Sequence, residues 1–454
     1  MPSLSDPICA LITPAGYAAI NVIRISGKGS VGIVAEYFTP RRKLLSSRSH
    51  QVIHGSFHDF QGLPLDEVLC TVFRAPHSYT GEECVEISCH GNPLISARIL
   101  ENLLRQARHA KPGEFTLRAL LNGKFDLTQA EAVNDLINAT ADNAETAALM
   151  QVQGVLSEHL KQILDGITAA RLRCELAIDF VDQDLPQIDL EDLRNRISGL
   201  LSQARDLYGE GKRGRLIREG IRICLAGAPN SGKSSLFNAF LKQNRAIVTP
   251  LPGTTRDYLE ESIALQGYTL VLYDTAGIRD SSDETEAAGI ERSHELMRQA
   301  DLILFLIDST TINEDLSPPK LETGLEAKTL WLVSKADLNP DAGKIAPLLH
   351  FDPILVSVVT PGGMDNLYAA ILKRFQLPRQ ILNRPLITNT RHLAALSRCI
   401  EALESALQAL ETGSGYEYIA FDLIAASHAL EEILGIITTD DLLEQIFSGF
   451  CIGK

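Results

Sequence analysis

No apolar run in this 454-residue chain reaches the roughly 18 residues that a membrane-spanning helix needs. The opening stretch, MPSLSDPICALITPAG, lacks both the basic n-region and the long apolar core of a secretory signal. These two absences point to a cytoplasmic protein with no membrane association. There is no CxxC pair. The eight cysteines are scattered, Cys84 and Cys89 being the nearest to each other, so a thiolate metal cluster is excluded and reduced thiols are expected. Positive charge is short as well: the net charge is -15, which rules out nucleic-acid binding through the overall field. Any RNA would have to be met through a local patch or a partner. The one stretch that reads as basic, GKRGRLIREG at 211–220, has the look of a solvated linker. Internal repeats and low-complexity tracts are absent.

What remains is a chain long enough for about three domains. It is 45% hydrophobic and 22% charged, ordinary for a soluble globular protein. Residues 1–120 read as an α+β domain, with INVIRIS and CVEISCH as strands and LISARILENLLRQA as a helix. Over 121–215 the pattern becomes helical. Leu149, Val152, Leu156, Leu160, Ile163 and Ile167 follow spacings of three and four, as do Leu193, Ile197, Leu200, Ala204 and Leu207 beyond a break at Pro186. From 216 to 379, short apolar runs (IRICLAG, YTLVLYD, DLILFLID, TLWLVSK, PILVSV) alternate with helical patterns, which predicts an α/β domain with a mostly parallel sheet. Helical spacing resumes over 380–454, at Leu393, Leu396, Ile400, Leu403, Leu407 and Leu410 and again at Ile419, Leu423, Ala426, Leu430 and Ile433. A helical domain split by an inserted α/β domain accounts for this order. The fold class expected is multidomain: α+β, then split helical, with an α/β domain inserted.

The insertion carries GAPNSGKSS, a match to G-x-x-x-x-G-K-[ST] between a strand and a helix. Backbone N–H groups along Asn230, Ser231, Gly232, Lys233, Ser234 and Ser235 suit phosphates at a helix N-terminus. Lys233 is expected on the outer phosphates and Ser234 on Mg²⁺. DTAG follows at the end of another strand, with Asp274, Thr275, Ala276 and Gly277 at the Mg²⁺ and γ-phosphate. SKAD is close to the guanine-reading N-K-x-D: Ser334, Lys335, Ala336 and Asp337, the last accepting two bonds from the base. Serine is shorter than the usual asparagine, so weaker nucleotide binding with unchanged base choice is expected. Ser357, Val358 and Val359 form the fifth element. Where a Ras-like switch has a water-orienting Gln after DTAG, this chain has Ile278, so another group must do that work.

The tail, EQIFSGFCIGK, places Cys451 at the spacing of a prenylation signal, but Lys454 is disfavoured there and no polybasic stretch lies upstream. The alternatives are a frayed end and part of a site. GAPNSGKSS, PGTTRD, DTAGIR, the flanking helical blocks and the final FCIGK together resemble the MnmE (TrmE) family of tRNA-modification GTPases over essentially the whole chain. The resemblance implies a homodimer formed through an N-terminal folate-binding-like domain. It further implies a heterotetramer with the FAD-containing partner MnmG. Together they add an aminomethyl or carboxymethylaminomethyl group to carbon 5 of the tRNA wobble uridine. The one-carbon donor would be a 5-formyl- or 5,10-methylene-tetrahydrofolate.

Residue by residue, the resemblance assigns K⁺ to Asn230, Thr249, Leu251 and Thr254. It places Pro250, Pro252 and Gly253 in the same nucleotide loop, Thr255 on Mg²⁺, and Glu286 as the acid that orients water. Arg24, Glu82, Lys124 and Lys454 are implied folate contacts, and Cys451 is either a reactive thiol or a packed one. Two other readings compete with tRNA modification. A switch GTPase of the assembly class would carry a basic RNA module. A folate scaffold alone would not need an intact P-loop.

Overall fold

The computed structural model describes residues 6–179, 189–243, 260–274, 286–312, 321–338, 348, 351–377 and 384–454. Two compact units form: residues 1–134, 152–193 and 405–454 make the first, and 135–151 with 194–404 the second. The segments 121–215 and 380–454 are each divided between the two.

The first unit is built on a mixed sheet of seven strands. In chain order these are β1 (Ile8–Leu11), β2 (Ile20–Ser26), β3 (Phe38–Thr39), β4 (Gln51–His58), β5 (Pro64–Phe73), β6 (Cys84–His90) and β7 (Arg108–His109), arranged β3-β4-β5-β6-β2-β1-β7. Helices α1 (Ser30–Tyr37) and α3 (Pro93–Leu103) supply the apolar cover, with Val34, Ile99 and Leu103 meeting Ile23, Ile53 and Ile87 of the sheet. Short α2 (Arg41–Leu45) is anchored by the fully buried Leu44. Asn92 caps α3 by accepting from Leu94 N, and Pro93 takes the first turn, where its missing N–H costs nothing. Then come α4 (Glu114–Leu121), α5 (Leu127–Asn138) and, after the second unit's first segment, α7 (Val155–Asp179). The C-terminal helices α13 (Tyr416–Leu434) and α14 (Asp440–Ser448) return to this unit. On α13, Ile419, Leu423, Ala426, Leu430 and Ile433 are all buried, as the three-and-four spacing predicts. Helix α14 closes with Leu443, Phe447 and Phe450 against Leu127 and Ala130.

The second unit holds a six-stranded sheet. Its strands are β8 (Ile221–Gly227), β9 (Glu260–Leu265), β10 (Tyr268–Asp274), β11 (Leu302–Asp308), β12 (Thr329–Ser334) and β13 (Ile354–Leu355), in the order β13-β12-β11-β8-β10-β9. All pairs are parallel except the β9–β10 hairpin. Strand β11 is apolar from Leu302 to Ile307 because both faces are covered, the usual state of a central parallel strand. Helices α9 (Lys233–Gln243), α10 (Glu286–Gln299) and α11 (Asp365–Arg374) belong to this sheet domain, while α6 (Asp142–Val152), α8 (Leu190–Glu219) and α12 (Thr390–Glu411) come from the flanks. The root of β10 is held by α6. Asn143 N donates to Gly267 O at 3.0 Å, Thr140 and Thr269 share a 2.9 Å hydroxyl bond, and Tyr268 is buried against Ala147 and Ile217.

Two sequence expectations are corrected. The run from Leu149 to Ile167 is not one helix: the chain turns between α6 and α7 at Gly154, whose φ is 87°, and Leu149 is left 43% exposed. The basic stretch 211–220 is no linker, since α8 runs through to Glu219. Its glycines are there for close approach. A Cβ at Gly214 would lie 1.9 Å from Ile387 O, and one at Gly211 would lie 2.2 Å from Leu393 Cδ2. Its three arginines are held in ion pairs: Arg215 with Asp301 at 2.7 Å, Arg218 with Asp135 at 2.8 Å and Arg213 with Glu210 at 3.3 Å.

Candidate functional site

In the second unit the P-loop joins the end of β8 to α9. Gly227 has a φ of 142° and a Cβ there would lie 2.4 Å from Leu306 O, so the neighbouring strand leaves room only for glycine. Asn230 is also left-handed, at 63°. Lys233 folds back and donates from Nζ to the carbonyls of Gly227 and Ala228 at 3.0 and 2.8 Å. Ser234 and Ser235 are exposed on the first turn of α9. Asp274 ends β10 at the register position opposite Leu225 of β8, which sets it beside the strand that feeds the P-loop. Glu286 is the first residue of α10. Thr249, Pro250, Leu251, Pro252, Gly253, Thr254 and Thr255 lie outside the described residues, as do Thr275, Ala276 and Gly277.

The elements expected to read the base come together at the ends of β12 and β13. The buried hydroxyl of Ser334 donates to Ser231 O of the P-loop at 2.7 Å. Lys335, in the left-handed region at 56°, bonds Asp308 Oδ2 at 2.6 Å. Burial pushes the Asp308 carboxyl up, but the bonds from Lys335 and Thr310 outweigh it and hold the group below the usual carboxylate range. Asp337 is exposed, and Ser357 Oγ donates to its Oδ1 at 2.8 Å, which fixes the carboxylate plane. Ala336 N donates to Val356 O at 3.2 Å, tying the two elements together. Val358 and Val359 stand exposed beside them, 42% and 72%. Asp308 was not foreseen; its position at the end of a central strand was the available signal.

A second constellation lies wholly within the first unit. Arg24 on β2 is the register partner of Glu86 on β6. Its Nε and Nη2 both donate to Glu86 Oε1, at 3.0 and 2.8 Å. The guanidinium lies 5.0 Å from the ring of Tyr79 and 5.4 Å from that of Phe115. Buried with it is Nη1, which has no hydrogen-bond partner among the described residues. Glu82 is held by Arg118 Nη1 at 3.1 Å and by Ser26 Oγ at 2.9 Å. Lys124 is exposed, with Nζ 3.3 Å from Pro76 O, so it borders the same 74–83 loop that carries Tyr79 and Glu82.

The tail docks here as well. Phe115 N donates to Lys454 O at 3.2 Å and Gly113 N to Cys451 O at 3.4 Å. Burial lowers the Lys454 ammonium from its usual range, as does the neighbouring Arg24, against opposing contributions from Glu86 and Cys451. Lys454 therefore lies within reach of the charges of Arg24 and Glu86. Of the eight cysteines, seven are buried, and burial pushes Cys9, Cys70, Cys84 and Cys399 up to about 12. Cys451 alone is exposed, which removes the packed-thiol alternative. Glu86, Tyr79, Phe115 and Arg118 are pocket residues that the sequence reading missed. The β2–β6 register that pairs Arg24 with Glu86 was the only signal, and it is not visible in one dimension.

The MnmE helical domain family matches residues 127–451, and the family described as the GTP-binding protein TrmE N-terminus matches residues 7–124. A tRNA modification GTPase MnmE from Moorella thermoacetica is 42% identical over 99% of this chain and 100% of its own. The chain belongs to the MnmE family of tRNA modification GTPases. Another MnmE, from Aquifex aeolicus, is 40% identical over 99% of this chain and 100% of its own length. Among solved structures, the FeoB G-domain from Methanococcus jannaschii aligns with 34% of the present MnmE-family chain and 98% of its own, at 24% identity and a TM-score of 0.25. Among the described residues, no helix is long and apolar enough to cross a membrane, and no group of three or more His, Cys, Asp or Glu could hold a metal ion.

Proposed function

We propose that this chain hydrolyses GTP and couples the hydrolysis to modification of the tRNA wobble uridine at carbon 5. It would do so in the cytoplasm, as a homodimer, with the FAD-containing partner MnmG. The observation that carries this reading is the presence of two chemically distinct sites in separate units. One has the P-loop, Lys335, Asp337 and Ser357 of a guanine-nucleotide site. The other has Arg24 and Lys454 beside an exposed thiol.

At the nucleotide site, Lys233 exchanges its two loop carbonyls for phosphate oxygens. The Ser334 bond to Ser231 O holds the P-loop against the base-reading strand, and Ser357 presents Asp337 for two bonds from guanine. Ser234 and Thr255 would hold Mg²⁺, Glu286 would orient the attacking water, and Asn230 with Thr249, Leu251 and Thr254 would hold a K⁺ that supplies positive charge where other GTPases use an arginine.

The pocket of the first unit fits a folate because a buried, unpartnered guanidinium nitrogen requires an acceptor, and an exposed lysine nearby suits a glutamate carboxylate. Arg24, Glu82, Lys124 and Lys454 would hold it, and the bound tetrahydrofolate supplies the one-carbon unit. Glu86 keeps Arg24 aimed, and the Tyr79 and Phe115 rings exclude water from its face. Cys451 offers a soft nucleophile at the rim.

Mass spectrometry of wobble uridines in cells lacking the chain tests the function: unmodified carbon 5, restored by the wild type and not by Lys233→Ala, is the expected result. Normal modification in those cells overturns it. A switch GTPase without RNA chemistry predicts that outcome. Hydrolysis measured in matched KCl and NaCl tests the cation, with faster turnover expected in K⁺ and equal rates overturning that assignment.

A further inference from the structure

An acidic chain that handles tRNA has to meet a polyanion somewhere. The basic stretch apparent at 211–220 cannot serve, because Arg213, Arg215 and Arg218 are held in ion pairs within the second unit. A different segment has the opposite character. Arg41, Arg42, Lys43 and Arg48 are all exposed, and among the described residues no ion pair or side-chain hydrogen bond engages any of their side chains. No acidic residue falls between positions 37 and 58 of the sequence.

The segment is displayed rigidly. Leu44 is fully buried beneath it, and Ser47 Oγ donates to Leu44 O at 2.6 Å. Arg74 Nη2 donates to Leu45 O at 2.9 Å, while its Nη1 bonds Glu83 Oε1 at 2.6 Å. Glu83 Oε2 in turn accepts from Val31 N. Arg74 thus fastens the basic turn to the 74–83 loop, the same loop that carries Tyr79 and Glu82 of the Arg24 pocket. Unpaired cations on a fixed backbone lose little entropy when phosphates bind, and they gain from counterion release.

We infer that the turn formed by Arg41, Arg42, Lys43 and Arg48 is a phosphate-backbone contact for tRNA, set beside the candidate one-carbon pocket by Arg74. This rests on the proposed role in tRNA modification and adds the surface through which the RNA is met. Phosphate contacts of this kind set register and orientation and carry no sequence information, so choice of tRNA lies elsewhere.

The test is titration of the whole protein with an unmodified tRNA transcript across a series of KCl concentrations, wild type against R41A/R42A/K43A/R48A. The variant should bind roughly tenfold to a hundredfold more weakly at low salt, and its log-log salt slope should be shallower by about 3. R41K/R42K/R48K keeps the charge and should bind like the wild type. GTP hydrolysis and thermal melting should be unchanged in both, which separates loss of contact from loss of fold. Equal affinity and slope for wild type and the alanine variant overturn the assignment, as does a wild type with no measurable tRNA affinity. Retained tRNA binding with loss of binding to phosphatidylserine vesicles would move the surface to a membrane and also overturn it. None of these outcomes touches the wobble-uridine assay, so a failed surface and a failed function are told apart.

Discussion

Lys233 bonds the carbonyl of Gly227, six positions before it, whereas Arg24 finds Glu86 sixty-two positions away. The nucleotide site is made of short contiguous loops at the ends of parallel strands, each carrying its own motif. The Arg24 pocket is assembled from β2, β6, the 74–83 loop, the start of α4 and the docked tail. Loops at strand ends need only the backbone of their own strand–helix unit to be positioned. A pocket built on a sheet face needs the register of every strand to be right first. The two sites also sit in separate compact units, so lesions in one should leave the other working.

The largest test of that separation is Glu286→Ala. Hydrolysis should slow by roughly 10²–10³-fold, the usual loss for one positioned polar catalytic group, with nucleotide affinity nearly unchanged. Stopped-flow nucleotide binding together with single-turnover hydrolysis measures both. Folate affinity measured on the same preparation should not move, and a parallel drop would break the comparison.

The reverse lesion is Arg24→Ala. It removes a charge-assisted donor and strands Glu86, so folate affinity should fall about tenfold to a hundredfold, while GTP turnover holds. Arg24→Lys keeps the charge but loses the paired grip on Glu86, and most of the loss should remain. Calorimetric titration with a tetrahydrofolate decides it.

Smaller effects probe how tightly each site is fastened. Ser357→Ala frees Asp337 Oδ1, and Ser334→Ala frees Ser231 O. Each removes one hydrogen bond worth about 1 kcal/mol, so GDP affinity should fall about fivefold in either variant, without gain for ADP. An unchanged GDP affinity in Ser334→Ala would mean that the P-loop is held by its strands alone.

The smallest effect is a shift with pH. Burial and Arg24 lower the Lys454 ammonium, so on raising pH this cation is lost before an ordinary lysine would be. Affinity for an anionic ligand should therefore begin to fall below the normal lysine range, and Lys454→Arg should flatten the profile. A profile identical in both proteins would remove Lys454 from the pocket's electrostatics.

Legibility followed the same divide. The P-loop, SKAD and the strands that carry them stood in the sequence because motif and period coincide over a few residues. The bond from Ser334 to Ser231 O was not legible, because it depends on how β12 is placed against the P-loop, which no single-strand pattern records. The break at Gly154 was missed because Val152 and Leu156 keep a helical spacing across it. Residues 211–220 misled in the other direction: glycines that permit close packing with 387–393 look, in one dimension, like glycines that loosen a linker. Glu86, Tyr79 and Phe115 were invisible because nothing short of the β2–β6 register and the folded 74–83 loop puts them around one guanidinium.

The grip of α6 on the root of β10 bears on how this GTPase can be taken apart. Tyr268, only 1% exposed, is covered partly by Ala144, Ala147 and Leu386, none of which lies within residues 216–379. Cutting the chain at those two points would leave the central strand pairs intact. It would also bare an aromatic notch, a backbone carbonyl at Gly267 and the hydroxyl of Thr269 at the foot of the hairpin. Such a fragment would tend to pair with itself through that notch. The transplantable module is the whole second unit, residues 194–404 together with the 135–151 segment, a piece of chain that precedes it by some forty residues and would have to be joined to it by a linker.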